Sequence, residues 1–264
     1  MTRAVVVLLL ALVAGCGGEG GPAPAGTRTA PTSAPSSTPS SSTPSVSGSS
    51  PTAVGTADAT ASATARPSPA RTRPPRVRGI DASHHQGPID WPAVAGNGIA
   101  FAYLKATEGT GFVDPRFATH RREALDSGVR VGGYHYFQLC SPGAEQAAHF
   151  AEVLGEPGRG ELPPAVDLEL AGSCATPPAR EQLLAEVRAF LETLEARTGR
   201  RTVVYLYPEL EDRYGFAAVL DRRQWVRRLG DAPPARPWWI WQRSQTGSVA
   251  GISGGVDLNV MKVR

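Results

Sequence analysis

The chain has 264 residues, of which 41% are hydrophobic and 19% are charged, and this composition suffices for one ordinary hydrophobic core. Part of the chain cannot join that core, because Ser, Thr, Pro and Ala fill 18 of the 20 positions from 31 to 50. The net charge of +3 comes from the N-terminal third, since residues 77–264 contain 21 Lys and Arg against 22 Asp and Glu. This balance disfavours a nucleic-acid partner, which requires a basic surface.

The first sixteen residues have the pattern of an export signal. Arg3 precedes an apolar run, residues 4–13, that is too short to span a bilayer as a helix. The next residues, Val-Ala-Gly-Cys16, resemble a bacterial lipobox, which predicts cleavage before Cys16 and a lipid on that cysteine. A chance cysteine after an ordinary secretory signal is the alternative. We therefore expect an extracytoplasmic protein, either anchored to the cell membrane through Cys16 or secreted.

These features divide the chain into three segments. Residues 1–15 are the predicted signal peptide. Residues 16–76 begin with the lipidated cysteine and continue as a Ser/Thr/Pro/Ala-rich linker, which we expect to be a disordered tether. Residues 77–264 contain all five tryptophans and both other cysteines, and we expect them to form the working domain of a monomer.

Short apolar stretches bounded by turn residues recur along residues 77–264 and predict eight strands. They lie at 77–82, 99–105, 129–137, 165–170, 202–207, 224–229, 238–241 and 256–260. Helical periodicity occurs at 116–127, 143–154 and 179–198. Strands that alternate with helices predict an α/β fold with a mostly parallel sheet, and eight strands predict closure into a TIM-like barrel. The later connections are too short for full helices, so we expect an irregular barrel with fewer than eight helices.

Polar residues recur near the C-terminal ends of the predicted strands. In a parallel barrel those ends share one rim, and active sites are built there. The residues that we expect at this rim are Asp81, Lys105, Glu108, His135, Asp167, Glu169, Tyr205, Gln242, Asp257 and Asn259.

The most informative of these residues are Asp167 and Glu169, two residues apart on an apolar strand. Side chains alternate along a strand, so both carboxylates face the same side. Because two carboxylates in one cavity repel each other, one of them is expected to keep its proton near neutral pH. A glycosidase uses such a pair: one carboxylic acid protonates the leaving oxygen, and one carboxylate supports the developing positive charge. A metal site is the alternative, but the isolated His84-His85 pair lacks metal-motif spacing, so we expect no metal.

Six further segments follow one another in a recognisable order. They are RGIDASHHQG at 78–87, FAYLKATEGTGFVDP at 101–115, GYHYF at 133–137, PPAVDLE at 163–169, WIWQ at 239–242 and GVDLN at 255–259. Their residues and order resemble glycoside hydrolase family 25, the Chalaropsis-type lysozymes. The resemblance covers essentially all of residues 77–264.

The resemblance implies an N-acetylmuramidase that cleaves the β-1,4 bond between N-acetylmuramic acid and N-acetylglucosamine in peptidoglycan strands, without a cofactor. It implies that Glu169 is the general acid/base and that Asp167 supports the substrate's own 2-acetamido group as nucleophile, with retention of configuration. It also implies substrate-binding residues on the other strands: Asp81, Asp257, Tyr134, Tyr205, Gln242 and Trp241.

Two other functions remain open at this point. A non-catalytic lipoprotein that binds cell-wall glycan would use the same barrel, although the presence of both Asp167 and Glu169 argues against it. A chitinase or another hexosaminidase shares the Asp-x-Glu chemistry, but the longer DxxDxDxE pattern of chitinases is absent, with Leu162 and Ala165 among the positions before Asp167.

The two cysteines of the domain, Cys140 and Cys174, are expected to form a disulfide. Export implies an oxidising compartment, and both residues follow neighbouring strands at the same rim. Two unpaired thiols are the alternative.

Overall fold

The computed structural model describes residues 74–263. The predicted signal peptide, Cys16 and nearly all of the predicted linker lie outside the described residues. The strands are β1 (Arg76–Ala82), β2 (Ile99–Glu108), β3 (Phe112–Val113), β4 (Arg130–Tyr136), β5 (Ala165–Leu168), β6 (Val203–Leu206), β7 (Gln224–Arg227), β8 (Ile240–Gly247) and β9 (Val256–Lys262). The α-helices are α1 (Trp91–Gly96), α2 (Phe117–Asp126), α3 (Gly143–Leu154), α4 (Arg180–Thr198) and α5 (Pro208–Tyr214). Short 3-10 turns lie at His84–Gln86 and Phe216–Ala218.

Eight of the strands close into a barrel, as the sequence predicts. The order around the barrel is β1-β2-β4-β5-β6-β7-β8-β9, and β9 returns to pair with β1. The first seven run parallel, whereas β9 is antiparallel to both of its neighbours. The short β3 pairs only with β2. No helix lies between β7 and β8 or between β8 and β9, which makes the barrel irregular.

The antiparallel direction of β9 corrects one expectation about the rim. Asp257 was expected at the C-terminal end of its strand, but it is the second residue of β9. Because β9 runs opposite to the other strands, its start lies at the same rim as their ends. Asp257 therefore lies at the rim because it is near the start of an antiparallel strand.

The helices pack on the outside of the barrel through apolar faces, and α4 shows the pattern most clearly. Its apolar residues recur at three- and four-residue steps, all are buried, and they are Leu183, Leu184, Val187, Phe190, Leu191 and Leu194. The helix ends at Gly199, whose φ of 64° is in the left-handed region that favours glycine. Within the described range, no helix combines the length and the apolar composition needed to cross a membrane.

The inside of the barrel is filled at the end opposite the rim by a layer of large side chains. Phe101 and Tyr103 of β2 lie edge to face, 6.5 Å apart, and both are fully buried. They fit because the facing positions are glycines: a Cβ on Gly79 would lie 2.3 Å from the Phe101 ring, and one on Gly132 would lie 2.3 Å from the Tyr103 ring. The rings fill this end of the barrel, and the cavity lies at the rim.

The predicted disulfide between Cys140 and Cys174 is present, with the two Cα atoms 5.7 Å apart. It joins the segment after β4 to the segment that follows Glu169. Constraining a loop of this length contributes about 3 to 4 kcal/mol to stability.

Candidate active site

The rim encloses a cavity of about 290 Å³ at the open end of the barrel. Four carboxyl groups line it, and they come from three strands: Asp81 from β1, Asp167 and Glu169 from the end of β5, and Asp257 from β9. Five aromatic side chains complete much of the wall: Tyr134, Tyr136, Tyr205, Tyr207 and Trp225. An acidic cavity with aromatic walls suits a sugar, because aromatic rings pack against the apolar faces of sugars while polar groups bind its hydroxyls and amides.

The alternation of β5 determines where Asp167 and Glu169 lie. Val166 and Leu168 are fully buried against the helices, so the carboxyl groups face the cavity together, as predicted. Burial raises the pKa of Glu169 to about 7. Burial, and then the charge of Glu169, raises the pKa of Asp167 well above its usual value. The pair therefore retains a proton at neutral pH, and Asp167 Oδ1 is buried with no hydrogen-bond partner among the described residues.

Asp81 and Asp257 form the second carboxyl pair, directly opposite each other on β1 and β9. Like charges at such positions repel, and burial together with the Asp257 charge raises the pKa of Asp81 well above its usual value. Two amides hold the pair. Gln242 Nε2 lies 3.0 Å from Asp257 Oδ2 and 3.3 Å from Asp81 Oδ2, and Asn259 Nδ2 lies 2.6 Å from Asp81 Oδ2.

Two aromatic side chains extend this network away from the carboxyl groups. The Tyr205 hydroxyl donates to Gln242 Oε1 at 2.9 Å, and Trp225 Nε1 donates to Asn259 Oδ1 at 2.8 Å. Each amide thus has its acceptor oxygen engaged and its N–H groups directed at carboxylates. The orientation of both amides is fixed before any ligand enters.

Two cations lie at the wall of this acidic cavity. Lys105 Nζ is 2.6 Å from Glu108 Oε2 and 5.0 Å from the centre of the Tyr136 ring. The Arg227 guanidinium lies 4.8 Å above the Tyr207 ring and hydrogen-bonds Gln245. The positive charge of Arg227 favours the ionised form of Glu169 and partly offsets the effect of burial on its pKa.

His135 does not lie in the cavity, contrary to the expectation that it shares the rim. Its ring nitrogens contact Thr107 Oγ1 at 2.7 Å and Gln146 Oε1 at 3.1 Å, and the ring packs against Phe150 and Phe190 of the helices. Burial lowers its pKa to about 3, so the imidazole is neutral. The sequence contained the signal for this position, because Tyr134 faces the cavity and its neighbour on a strand must face away.

Trp241 is also outside the cavity, although the sequence predicted a substrate contact. It is buried on the outer side of β8, with its ring 6.0 Å from that of Trp238, and Nε1 donates to the Arg228 carbonyl at 2.6 Å. Gln242 faces the cavity, so alternation directs Trp241 to the opposite side. We therefore remove Trp241 from the residues considered for substrate binding.

Seven residues that line the cavity were not identified as site residues from the sequence: Ser83, His85, Tyr136, Tyr207, Trp225, Arg227 and Gln245. Tyr207 lies two residues after Tyr205, and Arg227 lies two residues after Trp225. The period of two would have found both once the inward position of each strand was known. Gln245 lies beyond an irregularity in the β8–β9 pairing, which breaks the period, so no simple pattern indicates it. Within residues 74–263, no three His, Cys, Asp or Glu side chains are grouped so that they could hold a metal ion.

Comparison with known proteins agrees with this geometry. The model of "Glycosyl hydrolases family 25" matches residues 80–252. Lysozyme M1 of Streptomyces globisporus is 36% identical over 198 residues, which cover 69% of this chain and 67% of that protein. The N,O-diacetylmuramidase of Chalaropsis sp is 32% identical over 203 residues, which cover 69% of this chain and 96% of that protein.

Comparison with solved structures indicates the same family. The crystal structure of a bacterial lysozyme from Streptomyces coelicolor aligns with a TM-score of 0.65 and 35% sequence identity, covering 71% of this chain and 92% of that one. The match to the family model spans more than half of the chain, and its limits contain both Asp81 and the Asp167–Glu169 pair. The chain belongs to glycosyl hydrolase family 25.

Proposed function

We propose that the protein hydrolyses peptidoglycan by cleaving the β-1,4 bond between N-acetylmuramic acid and N-acetylglucosamine. The lysozyme and muramidase relatives support this substrate. The observation that carries the proposal is the side-by-side placement of Asp167 and Glu169 in an open cavity, with the pKa of Glu169 at about 7. A cleft that only binds glycan has no use for a carboxyl group poised to exchange its proton at neutral pH, so the non-catalytic alternative is not favoured.

Glu169 is assigned as the general acid. The glycosidic oxygen is a poor leaving group until it is protonated, and an acid with a pKa near the working pH transfers its proton most effectively. Glu169 lies one residue beyond the end of β5, where its side chain is less enclosed than that of Asp167. That position lets its carboxyl group reach the bond between two sugars that lie across the cavity.

Asp167 is assigned to the 2-acetamido group of the substrate. Its unpartnered Oδ1 accepts the acetamide N–H, which makes the acetamide oxygen more nucleophilic and stabilises the positive charge that develops on it. The acetamide oxygen then bonds to the anomeric carbon while the glycosidic C–O bond breaks and the leaving oxygen takes the Glu169 proton. Water, deprotonated by Glu169, next opens the oxazolinium ring, which regenerates the acetamide and retains the configuration.

The proton of the carboxyl pair must be on Glu169 for this reaction to begin. In the empty cavity the more deeply buried Asp167 competes for it. The substrate resolves this competition, because an acetamide N–H donates to an ionised oxygen more strongly than to a protonated carboxyl group. Binding of the correct sugar therefore shifts the charge to Asp167 and the proton to Glu169.

Two measurements test the proposal with the chain from residue 16 onward. Purified peptidoglycan is digested, the products are reduced with borohydride, and their ends are identified by mass spectrometry. Reduced N-acetylmuramic acid at the new ends is expected, whereas reduced N-acetylglucosamine, or activity confined to chitin oligomers, would overturn the assignment. Proton NMR early in hydrolysis should detect the β anomer first. An initial α anomer would replace the assisted route with inversion.

We further propose that the protein is extracytoplasmic and anchored to the membrane by a lipid on Cys16. This proposal rests on the sequence alone, on the apolar run and the Val-Ala-Gly-Cys16 pattern that ends it. Replacement of Cys16 by Ala should release the protein from the membrane fraction or leave it unprocessed. Wild-type protein found entirely in the medium, with Cys16 unmodified, would contradict the anchor.

A further inference from the structure

The end of the barrel opposite the cavity carries a cluster of basic side chains, which we call the basic end. The parallel strands begin there and β9 ends there, so residues distant in sequence converge. Its members are Arg76, Arg130, Arg200, Arg201, Arg222, Arg223 and Lys262. Arg222 and Arg223 lie in both of the open depressions found on this end, which together join the segments before β6, β7 and β8.

Most of this positive charge is not neutralised. Glu195 binds Arg222 at 2.6 Å, and Asp221 pairs with Arg201. Among the residues that the structure describes, the other five make no ion pair: Arg76, Arg130, Arg200, Arg223 and Lys262. The domain is therefore close to neutral as a whole, but its rim carries four carboxyl groups while the opposite end is basic.

Two tryptophans lie among these cations. Lys262 Nζ is 3.9 Å and the Arg76 guanidinium 5.0 Å from the Trp238 ring, and the Arg223 guanidinium is 4.7 Å from the ring of the partly exposed Trp239. Trp238 is buried, whereas Trp239 is partly exposed, so one indole ring with an apolar and a wet side lies beside these cations. Basic groups beside such a ring are the combination found at the headgroup level of membranes.

The chain also enters the domain at the basic end. Val263 N–H donates to the Pro75 carbonyl at 2.9 Å, which fixes the start of the domain beside its last strand. The segment that leads back toward Cys16 therefore leaves from this end, and the cavity opens at the other. If Cys16 is held in a membrane, the basic end is the end of the domain to which the tether is joined.

We propose that the basic end docks on the anionic headgroups of phospholipids, with the cavity facing away from the membrane. The attraction is electrostatic, so it orients the domain without burying a helix in the bilayer. An anionic wall polymer would meet the same charges, but it gives no reason for the partly exposed Trp239 or for the entry of the chain at this end. The choice of a membrane as the partner rests in part on the proposed anchor at Cys16, whereas the docking is independent of the hydrolytic reaction.

The test uses the chain from residue 16 with Cys16→Ala, so that no lipid anchor contributes. Co-sedimentation is measured with phosphatidylcholine vesicles that contain about one third phosphatidylglycerol, and with pure phosphatidylcholine vesicles. Binding to the anionic vesicles only is expected, and it should disappear near 1 M salt, where the screening length falls to about 3 Å. Equal binding to both kinds of vesicle, or no binding at low salt, would overturn the proposal.

A charge-matched pair of variants locates the surface. Arg130 and Arg223 are exposed, and Arg130→Gln with Arg223→Gln should weaken binding roughly 25-fold, about fivefold for each charge. Arg122→Gln with Arg188→Gln removes the same charge from exposed positions on α2 and α4 and should leave binding unchanged. Equal losses in the two double variants would overturn the proposed location.

Three further measurements separate misfolding, failure of the proposed hydrolysis and binding to the wall from membrane docking. Both double variants should hydrolyse soluble peptidoglycan fragments at the wild-type rate, which verifies their folding. Glu169→Gln, in the same unacylated chain, should bind anionic vesicles normally, so failure of the hydrolytic assignment leaves the docking result intact. If the variant of Arg130 and Arg223 loses binding to cell walls that carry anionic polymers but keeps vesicle binding, the surface serves the wall and the membrane proposal is wrong.

Discussion

Two carboxyl pairs share one cavity, but they are held differently. Asp81 and Asp257 come from neighbouring strands and receive hydrogen bonds from Gln242 and Asn259. Asp167 and Glu169 come from a single strand, and the buried Asp167 Oδ1 has no partner in the described part of the chain. Both pairs carry carboxyl groups with raised pKa values, since burial acts on both. The difference between them lies in the donors that surround each pair.

That difference indicates a division of work. A carboxyl group with fixed donors keeps one orientation and one proton arrangement, which suits it to holding a sugar and shaping the local field. A carboxyl group without donors has acceptor capacity left for a ligand, at a cost in stability that a folded protein keeps only where function requires it. We therefore expect the Asp167–Glu169 pair to dominate turnover and the Asp81–Asp257 pair to act mainly through binding.

Glu169→Gln is expected to have the largest effect. The amide keeps the size of the side chain but has no proton to give, so kcat/KM on cell walls should fall about 10³-fold. Glycan binding measured by sedimentation should persist, because the cavity keeps its shape. Glu181→Gln, at an exposed position on α4, is the matched control and should be fully active. A Glu169→Gln enzyme that retains a tenth of wild-type turnover would refute its role as the acid.

Asp167→Asn should come next, with a decrease in kcat of about 10²-fold and little change in KM. Asn keeps an acceptor oxygen for the acetamide N–H but cannot supply the negative charge that supports the cationic intermediate. The discriminating experiment measures kcat and KM separately on a soluble glycan, for the variant and for the wild type. If KM rises and kcat stays constant, Asp167 only binds the substrate and the assisted route loses its support.

Asp81→Asn tests the second pair and should reduce kcat/KM only about tenfold. Asn mimics the protonated Asp81: its oxygen accepts from Asn259 and Gln242, and its N–H donates to Asp257. The raised pKa of Asp81 also predicts that the variant is more stable than the wild type above about pH 4. Folding of the wild type must take up a proton that Asp81 has released in the unfolded chain, whereas Asn needs none. Wild-type stability therefore falls as pH rises above about 4, while the variant should fall less. Thermal unfolding at several pH values measures this, and a steeper pH dependence in the variant would contradict it.

The period of two along strands explains which parts of this site the sequence predicts. It correctly placed Asp167 and Glu169 together, because the apolar Val166 and Leu168 identify the outward positions. Applied to β4 and β8 it would also have excluded His135 and Trp241. The first error arose from treating a polar residue near a strand end as inward, and the second from carrying Trp241 over from the family resemblance without applying the alternation.

Other features depend on geometry that no local pattern encodes. The direction of β9 decides that Asp257 faces Asp81, and an antiparallel last strand cannot be distinguished from a parallel one by its apolar residues. The donors to Asp81 are Gln242 and Asn259, which lie 161 and 178 positions later in the sequence. The basic end is equally non-local, because it gathers the starts of strands whose arginines are scattered through the sequence.

Arg227, which the sequence analysis missed, leads to the smallest predicted effect. Its charge lowers the pKa of Glu169, so Arg227→Ala should raise it, and the carboxyl group should keep its proton to higher pH. The alkaline limb of the kcat/KM profile, near pH 7 in the wild type, should move upward by less than about one unit. Arg228→Ala is the control, because the adjacent side chain is exposed and hydrogen-bonds the loop carbonyls of Ala232 and Pro233. A downward shift, or an equal shift in both variants, would show that Arg227 does not act on Glu169. High salt should bring the wild-type profile toward that of Arg227→Ala, since screening weakens the same interaction.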